Sequence, residues 1–267
     1  MKVSVLINNY NYGRFLDECI LSVLNQTYKN FEVILYDDGS SDNSLQIARK
    51  YESVKIISNP NFGKKPAFNQ GNAINSAFNV ADGDIICLLD SDDFFAVDKI
   101  EKVVKVFENN EDVIYVQHAA QEFTADKLGP VNNYAVTGVD YKKLYYKKNW
   151  TAFFNSTSCM SFRREYLLKV LPISEDKYWR VWPDVRLSRM TPFYGKVVSL
   201  PEYLTYYRKH EKSDSSAMNR SNLNTLKNQR DHHLYINNEI RKIKEAEIKF
   251  YYSVPFFQYA IKCFLLK

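Results

Sequence analysis

The chain has 267 residues, 45% hydrophobic and 25% charged, enough for one large domain or two small ones with a proper core. Leu, Ile, Val and Phe are plentiful, Gly and Pro number eight each, and no repeating unit recurs, which excludes disorder, collagen-like sequence and solenoids. A net charge of +5 is too slight to indicate nucleic-acid binding.

In chain order, Val3 to Ile7 reads as a strand. From Gly13 to Gln26, Leu16, Ile20 and Leu24 recur every four residues beside Phe15, Cys19 and Val23, so the spacing predicts a helix with one broad apolar stripe. Phe31 to Tyr36 is a second strand, Asp42 can cap a helix reaching Tyr51, and Val54 to Ser58 is a third strand. Pro66 suits the first turn of another helix, Ile85 to Leu89 is a fourth strand, and Ile100, Val103, Val104 and Phe107 mark a helix before an extended run at Val113 to His118. Strands alternating with helices predict the α/β class, with a mainly parallel, Rossmann-like central sheet flanked by helices.

After Thr124 the pattern weakens. A polar stretch runs to Val139, followed by Tyr- and Lys-rich sequence, with helices expected around Arg164 to Val170 and Asp184 to Met190. A strand pair is expected at Lys196 to Leu200 and Tyr203 to Tyr207, split by Pro201. From Asn219 the chain reads as a helical C-terminal extension, and a boundary falls near residue 216.

Cys19, Cys87, Cys159 and Cys263 stand singly, as suits reduced core thiols of a cytoplasmic protein. The N-terminal apolar run is too short for a signal peptide or a spanning helix. Basic residues gather from Tyr141 onward, in YKKLYYKK, FRRE, YRKHEK and RKIKEAEIK. Solvated surface charge and a site for anionic lipid or ligand both remain open as readings.

In an open α/β sheet, ligands bind outside the carboxyl ends of the strands. Strand two runs into Asp37, Asp38, Gly39, Ser40, Ser41 and Asp42, and strand four into Asp90, Ser91, Asp92 and Asp93. Either acidic run alone can be a turn or a helix cap. Two sets of carboxylates on one sheet edge would repel each other and an anionic substrate unless a divalent cation lies between them. Hard oxygen ligands point to Mg²⁺ or Mn²⁺, and such an ion implies a diphosphate partner.

The segments VSVLINNYNYGRF, YDDGSSDNS, NFGKKPAFNQGNAINSAFNVADGDIICLLDSDD, PDVRLSRM and LTYYRKHEKSDSS together resemble a family 2 glycosyltransferase of the GT-A fold, over about residues 1–216. The resemblance implies an inverting, metal-dependent transfer of a sugar from a nucleoside-diphosphate sugar, with a UDP-sugar favoured, to a glycan or lipid-linked acceptor in polysaccharide or glycoconjugate synthesis. Residues 1–95 would form the donor half, 96–216 the acceptor half and 217–267 the extension. By position, Asn9, Tyr10, Asn11 and Asp38 would line the nucleoside pocket, with Asp38 accepting from a base N–H. Asp90 and Asp92 match the family's D-x-D, Asp92 being the direct metal ligand and Asp90 a ribose or metal-water contact. His210 would approach the metal or diphosphate, assisted by Arg208.

Two departures stand out. Asn8 and Asn9 replace the usual Pro-Thr, and Phe68 stands where the family commonly has an Arg that reaches the donor, so Lys64 or Lys65 would supply that cation. Inversion needs a base to take the acceptor's proton. The family places it at a helix start shortly before Y-R-x-H, which selects Asp184, with Pro183 where Glu is usual. Glu175-Asp176 has the better dipeptide but lies further upstream. Trp179 and Trp182 are candidates to stack on an acceptor sugar, or core residues.

A sugar-nucleotide nucleotidyltransferase and a degenerate nucleotide-sugar binding protein are the rival readings. The first would want a Gly-rich basic loop after strand one, where Gly13 stands alone, and a dehydrogenase lacks its G-x-G-x-x-G. The tail FYYSVPFFQYAIKCFLLK is too interrupted to span a membrane. It reads as packing on its own domain or on a second copy in a homodimer, or as a peripheral contact with the inner face of the cell membrane.

Overall fold

The computed structural model describes residues 1–124, 127–133, 136–151, 153–210, 222–253, 256–257 and 260–261. Strands β1 (Val3–Asn9), β2 (Phe31–Asp37), β3 (Val54–Ser58) and β4 (Ile85–Asp90) alternate with helices α1 (Gly13–Leu24), α2 (Ser44–Ala48) and α3 (Pro66–Val80). The short β5 (Phe94–Phe95) and α4 (Lys99–Glu108) lead to β6 (Val113–Thr124), β7 (Lys127–Asn132), α5 (Tyr141–Lys148), β8 (Met160–Arg163) and α6 (Arg164–Val170). Then come α7 (Pro183–Ser188), β9 (Lys196–Arg208) and α8 (Asn222–Lys242).

All nine strands of the described residues join one sheet in the order β3-β2-β1-β4-β8-β6-β9-β5, with β7 hydrogen-bonded to β6. β1 to β4 pair in parallel, and β6 and β9 run the same way because β8 opposes both β4 and β6. Six of the nine strands therefore point their carboxyl ends at one edge. In register, Asn9 faces Asp37 across β1 and β2, and Asn8 faces Asp90 across β1 and β4.

The near-continuous apolar runs of the central strands are explained by burial on both faces. Val3, Val5, Ile7, Val33, Leu35, Cys87 and Leu89 pack with α1, α2 and α4, while Leu6, Ile34, Tyr36, Ile86 and Leu88 pack with α3 and α5 to α8. Helix α8 contributes Ile236 and Ile240 to this second layer, so it shares a core with the sheet. Cys19, Cys87 and Cys159 are buried free thiols, whereas Cys263 and the boundary near residue 216 lie outside the described residues.

The expected strand pair around Pro201 is one strand. β9 stays beside β6 throughout and changes register between Leu200 and Tyr203, so Pro201 and Glu202 are accommodated as an irregularity, which spares the missing proline N–H a ladder position. The helix expected from Asp42 to Tyr51 is shorter: Asp42 precedes it, accepting the Ser44 N–H at 2.9 Å and the Gly13 N–H at 2.9 Å, and past Ala48 the chain closes into tighter turns, with the Lys50 and Tyr51 N–H groups donating to the Ile47 and Ala48 carbonyls. Gly13 is needed there: a Cβ would lie 2.2 Å from the Asn43 side-chain oxygen.

Candidate active site

The first acidic turn is laced to the end of β1. Asp37 accepts from Asn9 Nδ2 at 2.7 Å, from the Ser40 N–H at 2.9 Å and from Ser40 Oγ at 2.6 Å, so its carboxylate serves the turn itself. Asn11 adopts φ 56°, donates its N–H to Ser40 Oγ and accepts the Ser41 N–H at 2.7 Å. Asp38 accepts from Asn61 Nδ2 at 2.8 Å and from the Phe62 N–H at 3.0 Å, which ties the loop after β3 to this turn. Burial raises Asp38 above the ordinary carboxylate range. Each of its oxygens keeps a lone pair for a further donor. Tyr10, beside it, is exposed.

The second acidic turn sits over a buried hub that sequence reasoning missed. The Asp90 N–H donates to Ser158 Oγ at 3.1 Å, and Ser158 Oγ donates to Asp93 Oδ2 at 2.6 Å. The Ser158 carbonyl takes Lys99 Nζ at 2.7 Å and Thr205 Oγ1 at 2.8 Å. Lys99 is fully buried, with its ammonium 3.3 Å from the centre of the Phe95 ring, and burial lowers it to about 8. The one sequence signal for it is that Lys99 falls four residues before buried Val103, on the apolar side of α4. Asp93 is also buried and held well above the ordinary range, by burial first and then by Asp92 and Asp90. Asp90 accepts from Gln70 Nε2 at 3.0 Å and is pushed up to about 7, again by burial first, then by Asp92, with Asp184 contributing.

Asp92 Oδ2 lies 3.0 Å from His210 Nε2. Arg14 stands 3.4 Å from the other ring nitrogen, and Tyr12 and Phe15 flank the imidazole at 5.3 and 5.0 Å. With Arg14 donating to Nδ1, the proton resides on Nε2 and bridges to Asp92. Arg208 is only 8% exposed: its Nε donates to the Asp92 carbonyl at 2.9 Å, its guanidinium pairs with Glu18, and Phe15 and Phe123 pack on it. These contacts make it a brace of the acidic turn. Lys64 and Lys65 are exposed at the head of α3, where Lys64 lies 3.7 Å from Glu175 and Lys65 faces the Trp179 ring.

Asp184 stands in the first turn of α7, with a buried Oδ1 that has no hydrogen-bond partner among the described residues. Burial raises it, opposed by the Val185 N–H and the Arg189 cation. Its charge adds a smaller push to the raised Asp90, after burial and Asp92. The rival Asp176 is otherwise engaged: both its oxygens accept from Arg186 at 2.8 Å. Among the described residues, no three His, Cys, Asp or Glu side chains cluster as a complete metal cage. Asp92 and His210 instead form a partial set of one oxygen and one nitrogen donor; the carboxylate suits Mg²⁺ or Mn²⁺, whereas imidazole is a transition-metal ligand and favours Mn²⁺ of the two.

The sequence profile of Glycosyl transferase family 2 matches residues 4–171, and the chain belongs to that family. It is 36% identical over 220 residues to an uncharacterized glycosyltransferase of Nostoc sp., covering 79% of this chain and 65% of that protein, slightly under two thirds of its length. The fold is similar to that of S. aureus TarS 1–349 in complex with UDP-GlcNAc, with TM-score 0.63 and 20% identity over 89% of this chain and 67% of that one. It is also similar to the mannosyltransferase PcManGT from Pyrobaculum calidifontis in complex with GDP-Man and Mn²⁺, with TM-score 0.56 and 16% identity over 97% of this chain and 68% of that one. The architecture is accordingly that of GT-A glycosyltransferases, as the sequence motifs imply.

Proposed function

We propose that the chain is a metal-dependent, inverting glycosyltransferase that moves a sugar from a nucleoside-diphosphate donor, UDP-linked by preference, to a hydroxyl of a glycan or lipid-linked acceptor. The observation that carries this reading is the convergence of both acidic turns on one sheet edge. The donor complexes of the two structural relatives support it.

Asn9, Tyr10, Asn11 and Asp38 bind the nucleoside, Asp38 accepting from a base N–H. Asp92 and His210 would hold the cation in place of the proton that bridges them, with Asp90 beside them; when bound, the cation neutralises the diphosphate. Arg208 holds the acidic turn from beneath, and Lys64 and Lys65 supply positive charge that the Phe68 position does not. The Asp184 carboxylate takes the proton of the attacking hydroxyl. The acceptor oxygen bonds to the anomeric carbon as the bond from that carbon to the diphosphate oxygen breaks, and the electron pair leaves with the diphosphate.

Thermal shift with UDP-, GDP- and dTDP-sugars in the presence of Mn²⁺ tests the donor reading, since a ligand at a hundredfold over its Kd adds about 2.7 kcal/mol. Asp92→Asn should abolish the Mn²⁺-dependent part of the shift while leaving the unliganded melting temperature near that of the parent. Equal Mn²⁺-dependent stabilisation of mutant and parent removes Asp92 from the metal site.

A further inference from the structure

The segment that carries Asp184 presents three arginines to α8, and each is engaged there. Arg180 NH1 donates to Asp231 at 3.2 Å, Arg189 NH1 donates to His232 Nδ1 at 3.0 Å, and the Arg186 guanidinium lies 4.6 Å from the centre of the Tyr235 ring. Arg186 is 4% exposed and spends its remaining donors on Asp176 and on the Val181 and Tyr178 carbonyls. Arg189 is in turn the cation that opposes the burial of Asp184. Helix α7 has only six residues, too few to be stable by itself. A cleft of about 770 Å³, bordered by Tyr178, Arg186, Leu187, Met190 and Tyr235, runs beside its contact with α8. Leu187 and Met190 share a core cluster with Ile236 and Ile240 of α8, and the discrete polar ties add to that packing in fixing α7.

We propose that α8, which lies beyond the part of the chain that the family profile matches, is a positioning element for the base. Tyr235 and His232 hold Arg186 and Arg189, and through them the short helix segment whose first turn carries Asp184. The inference rests on the reading of Asp184 as the proton acceptor. Neither residue touches substrate, so their loss should leave donor binding intact and slow only the chemical step.

The test follows hydrolysis of whichever of UDP-glucose, UDP-GlcNAc and GDP-mannose gives the largest Mn²⁺-dependent thermal shift, with water as acceptor. The double variant Tyr235→Ala/His232→Ala should lose at least about tenfold in kcat with donor KM within about twofold of the parent. Tyr235→Phe, which keeps the ring over Arg186, should retain nearly the parent kcat. A parent-like kcat in the double variant, or a loss that only tracks the folded fraction seen by circular dichroism, overturns the proposal. So does a donor KM that rises in step with the loss of kcat. If the double variant does not fold, Tyr235→Leu alone carries the same expectations. Asp184→Asn run beside them separates the two readings: parent-like hydrolysis there removes the base and with it this inference, whereas a dead Asp184→Asn with a parent-like double variant removes only the role of α8.

Discussion

A buried carboxylate oxygen without a partner is costly, and Asp184 keeps one. Asp184→Asn removes the charge, so the unfolding midpoint should hold or rise while transfer falls by about 10² to 10⁴. Asp176→Asn should do the reverse first: it weakens a bidentate pair to a buried arginine and should cost of the order of 2 kcal/mol in denaturant unfolding. A large loss of transfer in Asp176→Asn at parent stability, with normal transfer by Asp184→Asn, would show that the upstream carboxylate is the base. The pH dependence has a definite sign. Because burial raises Asp184 in the fold, its protonated form is the one the fold favours; that stabilisation is present at low pH and lost as pH rises through the raised pKa, while base function appears over the same interval. Lys99 behaves oppositely to a surface lysine. Its folded value of about 8 lies below the ordinary 10.5, so the unfolded chain binds more protons between those values and stability should climb there with pH. Lys99→Met should remove that climb, as read from urea midpoints between pH 8 and 10; an identical slope in both proteins would refute a depressed Lys99.

At the scale of elements, the first acidic turn depends on backbone that only glycine adopts cheaply. Gly39 has φ 73°, and a Cβ there would sit 2.5 Å from the Asn61 backbone nitrogen, whereas Gly63 has φ 71° with nothing nearer than 3.8 Å. Gly63→Ala should cost about 1 to 2 kcal/mol for the left-handed conformation alone. Gly39→Ala should cost more, and should also weaken donor binding, because Asn61 is the partner that holds Asp38. Equal destabilisation by the two changes would show that the close approach does not matter. Apart from the two-residue β5, the elements through α4 were legible because their apolar residues keep a helical or strand period and their turns carry Gly, Pro and Asp. β8 was not, since four residues buried in mid-sheet show no alternation, and β7 was not, since it is an exposed arm with no apolar face. Lys99 and Ser158 were illegible for a related reason: their partners lie 59 and 65 residues away, and only the folded sheet brings them under the acidic turn. Asp90, Asp92 and Asp184 were singled out by position in a family pattern rather than by periodicity.

For the whole molecule the open matter is what meets the aromatic C-terminal region. Among the described residues no helix is long and apolar enough to cross a membrane, and much of the tail lies outside those residues. Tyr251, Tyr252, Phe257 and Ile261 are all more than half exposed, a concentration of apolar surface that suits an interface. The nearby cations offer less than their number suggests, because Arg241 pairs with Glu247 and Lys242 with Glu239. Any attraction to anionic lipid therefore rests more on the aromatic side chains than on charge, and should survive salt that shrinks the Debye length from about 10 Å to a few Å. The triple change Tyr251→Ser, Tyr252→Ser and Phe257→Ser should reduce co-sedimentation with phosphatidylglycerol vesicles at both low and high salt, without altering the Mn²⁺-dependent thermal shift by donor. If the parent stays in the supernatant at low salt, the membrane reading fails. A concentration-dependent dimer that the same triple change abolishes would then assign the aromatic surface to a second copy of the chain.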